Sequence, residues 1–150
     1  MKKNNVVIPY VGVNDFKLKS SFIDVIKYLK KNNYRYTKEH WPNKGCTTEV
    51  PWDIIRFSNG LSLFFANDKM FKIYIESNSE FELDNGICIG NTMEAALSID
   101  PTLYYDEDAE VYVSEHGYWL EDSLIDDTVL SITIFIGELN DDDIFFAYNW

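Results

Sequence analysis

The sequence predicts an α+β domain: one curved antiparallel β-sheet of hairpins, with an N-terminal amphipathic helix packed on it and a second short helix. Three observations carry that expectation. One early segment repeats its apolar residues at helical spacing. Most of the remainder alternates apolar and polar residues over short runs. Tight-turn signals, Asn59-Gly60, Asn67-Asp68 and Asp84-Asn85-Gly86, separate those runs. A chain of 150 residues suits one domain spanning residues 1–150, and a domain of this size buries roughly 70% of the surface its unfolded chain exposes.

Val6 to Val13 is apolar and β-branched, which predicts a strand with Pro9 at an edge or bulge. Ser20 and Ser21 are N-cap types. After them Phe22, Val25, Ile26 and Leu29 make one helical stripe, and Lys27, Lys30 and Lys31 take the polar side near the C-terminal end, where they suit the helix dipole. Asn32-Asn33 ends the helix. Residues 34 to 51 are polar and punctuated by Pro42, Gly45 and Pro51, which predicts a long loop. Trp52 to Phe57 reads as a short strand, followed by a hairpin of Leu61 to Ala66 and Met70 to Ser77. In the second arm Phe71, Ile73 and Ile75 face one way, and Lys72, Tyr74 and Glu76 the other. Phe81 to Leu83 and Ile87 to Ile89 form another hairpin. Thr92 caps a short helix, Met93 to Ser98, before Pro101. Glu110 to Ser114 and Tyr118 to Glu121 pair across Glu115-His116-Gly117. Thr128 to Ile136 is the longest expected strand and a central one, because both its faces carry apolar residues. Ile144 to Trp150 reads as a final strand.

Charge is distributed unevenly. All thirteen Lys and Arg lie between Lys2 and Lys72, with six Asp and Glu, whereas residues 73–150 carry nineteen Asp and Glu and no Lys or Arg. Formal charges of +7 and −19 give the net −12. Such a field repels nucleic acid and anionic membrane and attracts a basic surface. The acids are interleaved with rings, as in Tyr104-Tyr105-Asp106-Glu107-Asp108 and Tyr118-Trp119-Leu120-Glu121-Asp122. A solvated face that keeps the chain soluble is one reading. The absence of interspersed lysines favours the other, a face built for a basic protein, with rings as anchors and carboxylates to steer encounter. The expected contact residues are Tyr104, Asp106, Glu107, Asp108, Glu110, Glu115, Tyr118, Trp119, Glu121, Asp122, Asp126 and Asp127. Core positions compete for Tyr118 and Trp119.

Catalytic signatures are lacking. No GxGxxG, Walker lysine loop, HExxH or CxxC occurs, and no catalytic residue, metal site or cofactor is expected. His40 lies six residues before Cys46, but no oxyanion glycines or orienting group accompany the pair. His116 falls in a hairpin turn. Asp106-Glu107-Asp108 and Asp141-Asp142-Asp143 lack EF-hand spacing. The basic start is broken by Pro9 and has no small-residue cleavage site, so a first strand is expected rather than a signal peptide. No apolar run reaches the length of a membrane span, and the expected compartment is the cytoplasm.

From Asn59 to Trp150 the chain resembles immunity proteins of bacterial contact-dependent growth inhibition and related polymorphic toxin systems. The residues that carry the resemblance are NGLSLFF, NGICIGNTMEAA followed by IDP, GYWLEDS and SITIFIGELNDDD. It implies a small cytoplasmic protein that is not an enzyme and that binds the C-terminal toxin domain of a cognate effector, expected to be a nuclease. A nuclease is basic where it holds its polyanionic substrate, which fits the charge argument. Two alternatives stay open: an acidic DNA-mimic inhibitor of a nucleic-acid enzyme, and a small hydrolase using carboxylates or the Cys46/His40 pair.

Overall fold

The computed structural model describes residues 5–45 and 50–147. It is an α+β fold of two sheets over one contiguous core. Strands β1 (Asn5–Ile8), β2 (Gly12–Val13), β3 (Phe16–Lys17) and β8 (Phe81–Leu83) form a small sheet in the order β3-β2-β1-β8. The large sheet has eight strands: β4 (Thr37–Trp41), β5 (Trp52–Arg56), β6 (Leu61–Ala66), β7 (Lys69–Glu76), β9 (Tyr104–Asp106), β10 (Val111–Val113), β11 (Tyr118–Asp122) and β12 (Val129–Phe135). Their order is β4-β5-β6-β7-β12-β11-β10-β9, antiparallel throughout. Helices α1 (Phe22–Lys31), α2 (Met93–Ile99) and α3 (Asp142–Ala147) complete the chain, with a 3-10 turn at Gly137–Asn140. Among the described residues no helix is long and apolar enough to cross a membrane.

The expected single first strand is a hairpin. Pro9 has no N–H to give the ladder, Tyr10 turns left-handed at φ 64°, and Val11 N–H closes the turn on Ile8 C=O at 3.0 Å. The expected single sheet becomes two because β1 leaves the large sheet and pairs in parallel with β8, Val7 opposite Leu83.

Helix α1 occupies the segment with the apolar stripe. Val25 and Leu29 are buried, Phe22 and Ile26 pack partly against the core, and the Phe22 ring meets Phe65 edge-on at 5.2 Å. Its N-terminus is satisfied from afar: Asp68, in the β6–β7 turn, accepts the Phe22 N–H at 3.0 Å and the Ser21 hydroxyl at 3.0 Å. That turn is Asn67-Asp68, both left-handed at φ 52° and 58°, as a two-residue hairpin loop demands. Gly60 is required for the preceding turn. Its φ is 89°, and a Cβ there would lie 2.1 Å from Glu76 O.

Residues paired directly across antiparallel strands share a face. One face carries the rows Ile55-Leu63-Ile73-Ile134-Tyr118 and Leu61-Ile75-Ile132-Leu120-Tyr112-Tyr105. It is the core face. Most of its members are fully buried, each side chain contributing about 1.5–3 kcal/mol. The other face carries Arg56-Ser62-Tyr74-Thr133-Trp119-Val113-Tyr104 and is mixed in character. Strand β12 is central, as both its faces implied, although β7 is longer at eight residues. Three further departures appear. The loop of residues 34–51 contains β4, an exposed edge strand; β9 was not foreseen; and the strand expected from Ile144 falls on α3, with residues 148–150 outside the described ones.

Candidate functional site

The meander β9-β10-β11-β12 sets the geometry of the acidic half. Its β9–β10 and β11–β12 turns project from one end of the sheet, and the β10–β11 turn from the other. The expected contact residues therefore divide. Glu107, Asp108, Glu110, Asp122, Asp126 and Asp127 gather at the first end, while Glu115 lies at the opposite one.

At the first end the turns are rigidly built. Asp106 Oδ1 accepts the N–H groups of Asp108 and Ala109 at 2.9 and 3.0 Å, so this carboxylate shapes its own turn. Glu107, Asp108 and Glu110 are exposed around it, Glu110 left-handed at φ 57°. Beyond a bulge at Glu121/Asp122, residues 123–128 form a closed loop. Ser123 N–H bonds Thr128 O at 2.8 Å, Asp127 N–H bonds Ser123 O at 2.9 Å, and Thr128 Oγ1 donates to Asp126 at 2.8 Å. The hydroxyls of Thr128 and Ser123 hold the Asp126 carboxyl below the usual range. Asp127 O in turn accepts the Met93 N–H at 2.9 Å, which fastens the loop to the start of α2. Thr92 caps that helix by accepting Ala95 N–H at 3.1 Å.

The tip of this loop carries two residues that the sequence reading passed over. Leu124 and Ile125 are 95% and 97% exposed, yet the backbone beneath them is hydrogen-bonded. The signal was present: two apolar residues between the pairs Glu121-Asp122 and Asp126-Asp127, outside any alternating run. Tyr105 was passed over too. It is 46% exposed on the edge strand and packs on Tyr112 with ring centroids 5.2 Å apart.

Tyr118 needs correction as a contact residue, because it is fully buried. It points into the core face, where its hydroxyl donates to Asp100 and accepts from Asn85 Nδ2 at 3.1 Å. Burial, then the Asp100 bond, pushes its phenol up. Trp119 is half-buried, its ring 4.9 Å from Phe135, and Glu121 accepts the Ser131 hydroxyl at 2.8 Å on the mixed face. Tyr104 stays 55% exposed at the edge.

The mixed face also holds two cations on one ring. Lys72 Nζ lies 4.2 Å from the Phe64 centroid and Arg56 Cζ 5.8 Å from it, with Arg56 Nε paired to Glu39 at 3.1 Å. Burial, with Arg56 adding to it, lowers the Lys72 amine to about 8.

At the opposite end the β10–β11 turn meets the end of α2. Asp100 is 2% exposed and accepts from Ser114 Oγ at 2.5 Å, Thr102 Oγ1 at 2.6 Å, Thr102 N–H at 3.0 Å and the Tyr118 hydroxyl. Burial alone would raise its carboxyl, but these donors outweigh burial and hold it at about 2. Gly117 belongs to this turn. Its φ is 93°, and a Cβ would sit 2.3 Å from the Tyr10 ring, so the β1–β2 turn rests on it.

His40 Nδ1 is 2.8 Å from Asp53 across β4 and β5, and Cys46, its suggested partner, lies outside the described residues. Asp141 accepts the N–H groups of Asp143 and Ile144 and so caps α3. Among the described residues no group of three His, Cys, Asp or Glu is arranged to hold a metal ion. No protein family, curated protein or solved structure matches the chain.

Proposed function

We propose that this chain is an immunity protein of the cytoplasm that binds a basic toxin domain, a nuclease, and neutralises it by blockade without catalysis. One observation carries the reading. The exposed carboxylates Glu107, Asp108, Glu110, Asp126 and Asp127, with the half-buried Asp122, have no cation within 4 Å among the described residues, and they surround the exposed pair Leu124-Ile125. The basic first half leaves this charge uncancelled; between the two halves the described ion pairs include Lys19–Glu138 at 2.6 Å, on another part of the molecule. A hydrogen-bonded loop presents the apolar pair already ordered, which lowers the entropy cost of binding. Carboxylates around it would steer a basic partner, and a buried aliphatic anchor would hold it.

The test is co-expression with a candidate basic nuclease toxin domain, scored by growth, followed by binding kinetics at 50 and 300 mM salt. Glu107→Lys with Asp108→Lys and Glu110→Lys should slow association about tenfold or more at low salt. Asp106 is left in place because it shapes the turn. An association rate indifferent to both salt and this charge reversal would sink the proposal.

A further inference from the structure

The end of the large sheet that carries the acidic turns also carries a groove, toward the opposite edge. Thr37 pairs with Arg56, Leu61 with Ile75, Ser131 with Glu76 and Asp122 with Val129, so the start of β4 and the end of β5 lie at the same end as the β11–β12 loop. There a cavity of about 420 Å³ is lined by Arg35, Tyr36, Thr37, Arg56, Phe57 and Ser58. A second, of about 280 Å³, shares Arg35, Phe57 and Ser58 with it and adds Phe16, Tyr34 and Leu61. Together they make an apolar groove with arginines on its walls. Arg56 is held in place by Glu39 at 3.1 Å and the Ser62 hydroxyl at 3.1 Å. Arg35 is exposed and has no carboxylate within 4 Å among the described residues.

Groove and loop are opposites in charge and shape. The loop pushes Leu124 and Ile125 into solvent between Asp122, Asp126 and Asp127. The groove offers the half-buried rings of Tyr36 and Phe57 beside Arg35 and Arg56. No Asp or Glu lines the groove, and the chain has no Lys or Arg after Lys72. A protruding apolar patch that complements a pocket elsewhere on the same molecule is an element of self-association. Strand order shows how such an assembly closes. The groove lies at β4–β5 and the loop at β12–β11, four strand spacings apart, or roughly 19 Å. A two-fold axis normal to the sheet, between β6 and β7, sets a second copy end to end on the first with its strand order reversed. Each loop then meets the groove of the other copy. Both contacts form together, and the assembly stops at two copies.

We propose that the chain forms a two-fold dimer in which Leu124 and Ile125 of each copy enter the Arg35–Phe57 groove of the other. The aliphatic side chains fill the apolar floor, and the carboxylates beside them meet the arginines on its walls. The dimer is weak, because two small contacts hold it and copies of net charge −12 repel at a distance. The same loop is the proposed toxin anchor, so a toxin domain held there excludes the second copy.

Sedimentation velocity of the purified chain, from about 5 to about 500 µM, should show monomer passing to dimer and no larger species. Leu124→Ser with Ile125→Ser, and separately Arg35→Glu, should each weaken the dimer about tenfold or more. Both changes fall on exposed side chains, and an unchanged thermal melt shows that the fold is kept. Mixing the two variants tests the symmetry. One keeps its groove and the other keeps its loop, so a mixed pair retains one of the two contacts, whereas either variant paired with itself retains none. The mixture should therefore hold more dimer than either variant alone at the same total concentration. A chain that stays monomeric throughout, growth beyond the dimer, a dimer indifferent to both changes, or a mixture no more associated than its components overturns the assignment. These readouts use the chain alone, so the dimer and the toxin reading fail separately.

Discussion

Asp100 shows how one side chain ties distant segments together. It ends α2, takes the Ser114 hydroxyl from the start of the β10–β11 turn and the Tyr118 hydroxyl from β11, and is braced by Thr102. Its carboxyl is held at about 2 against an ordinary 3.8. A depressed folded value contributes stability that is fully present above the unfolded value and lost as pH falls through the folded one. The contribution is therefore complete above about pH 4 and disappears toward pH 2. Asp100→Asn should cost about 2 kcal/mol at pH 7, the worth of hydrogen bonds to a charged group. It should also flatten the loss of stability between pH 4 and pH 2. Urea midpoints measured across that range check both. Of the local residues, Tyr118 was legible only as a ring beside an alternating strand. The partner that decides its fate, Asp100, lies 18 positions away, and sequence proximity does not announce such a contact.

Elements were legible where a local period or a turn code dictated them. The α1 stripe, the Asn67-Asp68 turn and the Thr92 cap each arise from neighbouring residues. The failures share a cause. Strand β4, Thr-Lys-Glu-His-Trp, is an exposed edge with no apolar face, so only its ladder with β5 makes it a strand. Strand β9 is three residues long and held by β10 alone. The run from Ile144 is apolar enough for a strand, but Asp141 caps it into α3. Helix α1 is the instructive case: its period was local, yet its N-terminal partner comes from 46 residues away. Asp68→Gly keeps a residue that accepts the left-handed turn and removes only the carboxylate. It should destabilise by about 1 kcal/mol, read as a lowered thermal midpoint. Ser21→Ala should cost less, because the Phe22 N–H keeps its acceptor.

For the whole molecule, the division into a +7 part and a −19 part was visible from the start, and the fold gathers six of the nineteen acids at one end of the large sheet. What composition did not reveal is that the expected contacts fall at two opposite ends, since that depends on strand direction. In the proposed complex the apolar tip and the acidic turns would have separable roles. Charge reversal acts on encounter and fades with salt, whereas loss of an apolar anchor acts on dissociation. Leu124→Ser with Ile125→Ser should raise the dissociation rate by about tenfold or more, leave association within about threefold, and show the same effect at 50 and 300 mM salt. A thermal melt should be unchanged, because both side chains lie in water in the free protein.

The position of β12 has a consequence for how the protein is made. This strand joins β7 to β11, so the middle of the large sheet closes only after its seven other strands have been synthesised. Ile75 pairs with Ile132, 57 residues later. At about 5–20 residues per second a ribosome takes roughly 3–11 s to cross that interval. Throughout it β7 offers an open eight-residue edge, Lys69–Glu76, with four positions that are buried in the finished fold and no partner beyond β6. Unpaired edges of that kind recruit other chains. The nascent chain is thus open to edge pairing until β12 arrives, and changing translation speed between Glu76 and Val129 should change the yield of folded protein even though the finished fold is the same.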